Sequence, residues 1–99
     1  MEWLNFHHLR YFWTVAKTES VRKAAEQLHV SQPSTSAQLK LLEESLGQKL
    51  FQRSGRNLVL TEVGQLVLSY ADEIFSIGRE LMSAVKQRPG NRAMRFNVG

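Results

Sequence analysis

The sequence predicts a mainly α-helical fold, a winged helix-turn-helix of three short helices and a two-stranded wing, followed by a long linker helix. Apolar residues recur at helical spacing in three short segments. Two short apolar runs then flank a Ser-Gly pair, which is typical of a small hairpin. A heptad pattern occupies most of the remaining chain. A plain helical bundle with one irregular loop is the alternative fold that this pattern leaves open.

Composition narrows the classes of protein to consider. The 99 residues suffice for one small domain, and 42% of them are hydrophobic, which is enough for a compact core. The absence of cysteine excludes disulfides and thiolate metal sites. No apolar run approaches the roughly 18 residues that span a bilayer, and residues 1–4 lack the segments of a signal peptide. We therefore expect a cytoplasmic protein with no cofactor, no metal and no membrane partner.

The distribution of charge along the chain says more about possible partners than the net charge does. The formal net charge is +4, but residues 1–85 are balanced, with nine basic and nine acidic side chains. The excess comes from four cations near the C-terminus: Lys86, Arg88, Arg92 and Arg95. Between residues 45 and 60, by contrast, Lys49, Arg53 and Arg56 occur without any anion. Such a basic segment, followed by an acidic one, is expected where one region faces phosphate and the next does not.

The first two helices are predicted from apolar stripes. From Asn5 to about Lys17 the apolar positions follow the spacing of one helix face. Ser20 is the expected N-cap of a second helix, because its hydroxyl can accept from free backbone N–H groups of the first turn. In that helix Ala24 and Ala25 are small enough to let a crossing helix come close.

The third helix follows a short connection at residues 29–30. Ser31 is its expected N-cap, and Gly47 is expected to end it. Three leucines mark its predicted buried face: Leu39, Leu42 and Leu46. Together with the preceding helix it forms a predicted helix-turn-helix from Val21 to Lys40.

The outward face of the third helix is small and polar in its N-terminal half, which suits insertion into a DNA major groove. Gln32 can pair with adenine, Ala37 can touch a thymine methyl, and Lys40 can reach a phosphate. Three hydroxyl side chains can reach phosphates or base edges: Ser34, Thr35 and Ser36. The predicted DNA-binding residues of this helix are Ser31, Gln32, Pro33, Ser34, Ser36, Ala37 and Lys40. The alternative is that residues 31–36 only cap the helix and face solvent.

A hairpin wing is predicted where residues 50–53 and 56–60 flank Ser54-Gly55. As a wing it would hold Arg53 and Arg56 over the DNA backbone or in the minor groove. A solvated basic turn is the alternative interpretation of these two arginines.

A fourth helix is predicted from a cap at Thr61 to about Arg88, where Pro89-Gly90 stops it. Its heptad pattern consists of Val63, Val67, Tyr70, Ile74, Ile77, Leu81 and Ala84. A second apolar stripe lies beside it: Leu66, Ala71, Phe75, Gly78, Met82 and Val85.

The predicted fourth helix is too long for its own domain to cover. A helix of about 26 residues spans roughly 39 Å, and a body formed by residues 1–60 cannot cover it beyond Ile74. We expect the heptad residues to pair two copies into a homodimer. The dimer would present two recognition helices, one third helix from each copy, to double-stranded DNA with dyad symmetry.

Two other functions deserve comparison with DNA binding. An enzyme is not expected, because the chain has three histidines, no cysteine and no pair of carboxylates at an obvious site spacing, and these make no catalytic constellation. A helical protein–protein interaction module without DNA binding is the alternative function, and it predicts no salt-dependent affinity for DNA.

The sequence resembles the LysR-type transcriptional regulators over about residues 5–88. The matching segments are HLRYF at 8–12, Ser20 with AAEQL at 24–28, SQP at 31–33, QLKLLE at 38–43, LG at 46–47, LF at 50–51, Arg53, GR at 55–56 and LTEVG at 60–64. Residues 12–13, 20–21 and 70–75 look most like the subgroup that regulates sodium/proton antiporters.

The resemblance implies a winged helix, a dimerising linker helix and a C-terminal effector-binding domain of α/β subdomains. It divides the chain into a DNA-binding domain at 1–60, the linker helix at 61–88, and a hinge with a first strand at 89–99. An effector ligand would bind only through the absent C-terminal domain. The family's DNA contacts map onto Gln32, Pro33 and Ser36, with Arg53 and Arg56 in or near the wing.

Two positions depart from the family pattern. Many members have an arginine where this chain has Ala37 and an apolar residue where it has Thr35. Ala37 leaves no long hydrogen-bond donor at the centre of the outward face. We therefore expect target preference to depend more on thymine methyls and on DNA shape.

Overall fold

The computed structural model describes residues 3–87. It contains α1 (Phe6–Thr18), α2 (Val21–Leu28), α3 (Gln32–Leu46), β1 (Phe51–Ser54), β2 (Asn57–Leu60) and α4 (Glu62–Gln87). The predicted fold class is thereby confirmed, with three short helices, a two-stranded antiparallel sheet and one long helix. The predicted stop at Pro89-Gly90, the end near Arg88 and the strand within residues 94–99 lie outside the described residues.

The helix starts follow local capping chemistry. Ser20 and Ser31 adopt extended backbone conformations, and their hydroxyls accept hydrogen bonds from N–H groups three residues later, each at 3.1 Å. The Thr61 hydroxyl accepts from the N–H of Gly64 at 2.9 Å. These three caps were predicted from sequence and are confirmed. Gly47, with φ of +69°, ends α3 as expected.

The hairpin turn lies one residue further along the chain than the sequence prediction placed it. Ser54 is the last residue of β1 and pairs with Asn57, so that Gly55 and Arg56 form the two-residue turn. Gly55 has a φ of +64°. Glycine is favoured at the first position of such a two-residue turn because side chains disfavour a positive φ. The correction places Arg56 at the tip of the wing and not at the start of its second strand.

The core lies where α1 crosses α2, α3 and the first half of α4. Its buried residues are Leu9, Phe12, Val15, Ala24, Leu39, Leu42, Leu50 and Ala71. Leu46 was predicted to share the buried face of α3, but it is 39% exposed. It lies at the end of the helix, one turn beyond Leu42, and is not part of the core cluster.

The start of α4 is held close to the residue that precedes the wing. A Cβ built on Gly64 would overlap the backbone carbonyl oxygen of Leu50 and lie 3.0 Å from Leu60 Cδ2. Only glycine therefore permits this approach of helix to backbone. None of the described helices has the length and apolar character needed to cross a membrane.

Candidate nucleic-acid interface

The outer face of α3 is continuous and exposed. All seven residues predicted to contact DNA from this helix and its cap are exposed: Ser31, Gln32, Pro33, Ser34, Ser36, Ala37 and Lys40. None of their side chains is drawn into the core. The Ser31 hydroxyl is used as a cap acceptor, but its O–H is still available as a donor.

Thr35 does not belong to this face. Its side chain is fully buried, and its hydroxyl donates to the backbone carbonyl of Ser31 at 3.1 Å. The prediction that Thr35 reaches a phosphate or a base edge is therefore wrong. Because the helical period turns position 35 towards the core, the site accepts a threonine only with its hydroxyl bonded to the backbone.

The wing arginines and the start of α3 line one cleft. Both Arg53 and Arg56 are exposed, and together with Gln32 they line a cleft of about 690 Å³. Arg22 at the start of α2 lines the same cleft, with its guanidinium 2.9 Å from Glu26. Three arginines, Arg22, Arg53 and Arg56, thus line the cleft, and Glu19 is the one acidic residue of its lining. Such a cluster suits the negatively charged DNA backbone.

Glu43 fixes the base of the wing to α3. Its Oε2 accepts from the backbone N–H groups of Leu50 at 2.8 Å and of Phe51 at 3.3 Å. Lys49 Nζ lies 3.9 Å from the other carboxylate oxygen. The carboxylate therefore ties the wing to the recognition helix through β1. The sequence carried a signal for this role, since Glu43 falls on the same helix face as the core leucines, where an acid needs partners.

Arg22 and Glu43 are thus two contributors to the interface that were not among the predicted site residues. The signal for Arg22 was weak, because it is one of two adjacent exposed cations in the first turn of α2. Its place beside the wing depends on how α2 and the hairpin pack, which the local sequence does not show.

The two halves of α4 have different surroundings. In the proximal half (Glu62–Phe75), Ala71 is buried, and the predicted dimer residues Val63, Val67 and Ile74 pack partly against the core. In the distal half (Ser76–Gln87) every residue is exposed. The remaining predicted dimer residues are all exposed: Tyr70, Ile77, Leu81 and Ala84.

Leu66 was predicted to lie on the second apolar stripe, together with Ala71. The structure leaves Leu66 exposed while Ala71 is buried. On the helical period Leu66 falls near Tyr70 and Ile77, and it extends the exposed apolar face by one turn.

A family comparison agrees with this arrangement. The model of bacterial regulatory helix-turn-helix proteins of the lysR family matches residues 6–65, which is more than half of the chain. The chain therefore belongs to the LysR family, and the resemblance inferred from its motifs is confirmed.

Two curated relatives are transcriptional regulators. The transcriptional activator protein NhaR of Escherichia coli (strain K12) is 41% identical over 99 residues, which are 100% of this chain and 33% of NhaR. The RuBisCO operon transcriptional regulator of Allochromatium vinosum is 39% identical over 87 residues, which are 88% of this chain and 29% of that protein. The chain thus spans about a third of the length of these relatives.

Solved structures that include DNA share the fold. The BenM DNA-binding domain in complex with catB site 1 DNA has a TM-score of 0.82 and 34% identity, covering 90% of this chain and 99% of that one. The CbnR DNA-binding domain–DNA complex has a TM-score of 0.73 and 35% identity, covering 83% and 94%. The chain is a LysR-family helix-turn-helix DNA-binding domain.

Proposed function

We propose that the chain reads DNA through the exposed face of α3, inserted in the major groove, while the wing contacts the backbone or the minor groove. The observation that carries this proposal is the shared cleft of Gln32, Arg53 and Arg56, which links the start of the reader helix to the cationic wing. Gln32 offers a bidentate amide for adenine, and Ala37 offers a methyl for thymine. Lys40, one turn along, supplies a charge for phosphate.

The chain acts as a homodimer through α4. Its exposed apolar face includes Leu66, Tyr70, Ile77 and Leu81, each more than half exposed. A run of apolar side chains along an exposed helix is costly in water unless a partner covers it. A second copy covers it with two-fold symmetry, so that two reader helices meet an operator with dyad symmetry.

In the whole protein, this domain regulates transcription in the bacterial cytoplasm. The linker helix is α4 (Glu62–Gln87), and an effector-binding domain follows it in the whole protein. The supporting observation is that both curated relatives are about three times as long as the chain. An effector ligand binds to that further domain.

Salt-dependent binding tests the wing. Affinity for a selected DNA duplex is measured by fluorescence anisotropy at several salt concentrations, for the parent and for Arg56→Ala. A dimer that loses two phosphate contacts binds more weakly. The slope of the logarithm of its binding constant against the logarithm of salt concentration falls by about 2 in magnitude. Arg10→Ala is the matched control, because Arg10 is exposed on α1 and does not line the cleft.

Two results would count against the proposal. An Arg56→Ala variant with unchanged affinity and slope contradicts the wing assignment. A parent chain without salt-dependent affinity for DNA contradicts DNA binding as a whole and favours the helical protein–protein interaction module.

A further inference from the structure

The contact between α1 and α4 is polar on one side. Trp13 Nε1 donates a hydrogen bond to Asp72 Oδ1 at 2.8 Å, and Lys17 Nζ lies 3.0 Å from the same oxygen. Asp72 thus receives two donors from two turns of α1. A hydrogen bond from an indole N–H is directional, so it constrains the angle between the helices as well as their separation.

The other side of the contact is aromatic. The Trp13 ring packs on Phe75 with ring centroids 4.7 Å apart and an interplanar angle of 31°. The Arg79 guanidinium carbon lies over the indole, 5.9 Å from the ring centroid. Trp13 therefore contacts three successive turns of α4 through Asp72, Phe75 and Arg79.

This cluster is where α4 leaves the body of the domain. Before it, the helix is anchored at Gly64 against Leu50 and at buried Ala71. From Ser76 onward every described residue is exposed, including Arg79 of the cluster. A cleft of about 490 Å³, lined by Trp13, Gly78 and Met82 among others, lies beside the helix there. Val67 and Ile74 also pack against the core, so the direction of the distal half depends on the packing of the proximal half together with this cluster.

We propose that Trp13 is a positioning residue: its hydrogen bond to Asp72 sets the direction of the linker helix and thereby the half-site spacing that the dimer prefers. This rests on the proposed dimer. The 12 residues of the distal half extend about 18 Å. A tilt of about 10° moves their end by about 3 Å, which is close to the roughly 3.4 Å rise of one base pair. If the angle of the distal half varies by this amount, the dimer therefore accepts half-site separations that differ by one base pair.

Two variants separate the directional hydrogen bond from the charge. Trp13→Phe keeps an aromatic ring against Phe75 but removes the N–H donor. Asp72→Asn keeps an oxygen that accepts from Trp13 but removes the charge that attracts Lys17. The proposal expects the first variant to alter spacing and the second to retain it.

The angle itself is measured by pulsed electron paramagnetic resonance. The chain has no cysteine, so Gln27→Cys and Ser83→Cys, both at exposed positions on α2 and α4, supply the only two label sites. Doubly labelled chain is diluted into excess unlabelled chain, so that only distances within one protomer contribute. The parent and Asp72→Asn should give one narrow distance distribution. Trp13→Phe should give a distribution that is shifted or broadened by about 2 Å, because Ser83 lies about 12 Å along the distal half.

The functional consequence is measured on duplexes that carry two identical half-sites at separations varied by single base pairs. The parent and Asp72→Asn should prefer one separation over its neighbours by about tenfold, because a mismatched separation forces the DNA to deform. In Trp13→Phe this preference should fall below about threefold. Affinity for a single half-site should stay unchanged, since the Trp13 contacts described above are with α4 and not with the exposed face of α3.

The possible outcomes separate the two proposals. A Trp13→Phe variant whose distance distribution and spacing profile both match the parent overturns the positioning role and leaves the dimer intact. A parent that binds half-sites without any preferred separation overturns the dimer, and the spacing role falls with it. An Asp72→Asn variant that loses the preference as fully as Trp13→Phe shows that charge sets the angle, which also overturns the proposal as stated.

Discussion

The proximal and distal halves of α4 carry similar apolar spacing but have opposite surroundings. In the proximal half Ala71 is fully buried and Ile74 is partly covered by the core. In the distal half Ile77 is 64% exposed and Leu81 is 61% exposed. A periodic apolar stripe therefore predicts that a helix face will be covered, whereas the partner that covers it depends on what lies beside the helix in the fold.

The glycines of α4 show the same contrast. Gly64 in the proximal half lies against a backbone carbonyl, so that a side chain has no room. Gly78 in the distal half has nothing within 4 Å of the place where a Cβ would stand. Identical substitutions at these two positions should therefore give opposite results.

The largest effect is expected from a charge placed on the distal face. Leu81→Glu should weaken dimerisation by at least about 100-fold, because each of the two copies loses the burial of one leucine, worth about 1.5–3 kcal/mol. Sedimentation velocity over a concentration series measures the change. Ser76→Glu adds the same charge to another side of the same exposed segment, and it should leave the dimer intact. A Leu81→Glu chain that dimerises like the parent would mean that the distal half does not form the dimer interface.

A smaller effect, on folding, is expected from the two glycines. Gly64→Ala should lower the free energy of unfolding by about 1–3 kcal/mol, because the Leu50 carbonyl must move away from the new methyl group. Gly78→Ala should leave it unchanged or raise it by up to about 1 kcal/mol, since alanine favours the helix and meets no clash. Urea denaturation monitored by circular dichroism gives both values. Equal destabilisation by the two substitutions would remove the distinction between the halves.

The smallest effect is expected at the junction between the halves. Hydrogen bonds from Trp13 and from Lys17 hold the pKa of Asp72 below its ordinary value of 3.8. The carboxylate therefore stabilises the fold above that ordinary value, and this contribution is lost as the pH falls through the lowered pKa of the folded state. It should amount to less than about 1 kcal/mol, because both charged side chains remain about half exposed.

Denaturation of the parent and of Asp72→Asn at pH 7 and at pH 3 tests this dependence. The stability difference between the two chains should be present at pH 7 and smaller at pH 3. A difference that grows on acidification would contradict the lowered pKa.

The elements of the fold were predictable because their signals are local. The caps at Ser20, Ser31 and Thr61 each act within three residues, and Gly47 ends its helix through its own backbone conformation. The exposed face of the reader helix followed from the same helical period.

What the sequence did not predict depends on neighbours distant in the chain. Thr35 is buried because α3 is turned against the body, and the Trp13–Asp72 hydrogen bond joins residues 59 positions apart. The wing turn moved by one residue because Ser54 pairs with Asn57 across the strands. The split of α4 is different, because helix length alone predicted that the body would not cover the helix beyond Ile74, and the described residues from Ser76 onward are exposed.

Selection of bound duplexes from a random DNA pool tests DNA recognition by α3 and dimerisation through the distal half of α4 in one experiment. We expect the selected sequences to contain two half-sites related by dyad symmetry, with centres separated by one fixed distance near one helical turn or a multiple of it. Enrichment of single half-sites with no fixed separation, or no enrichment at all, would contradict the account.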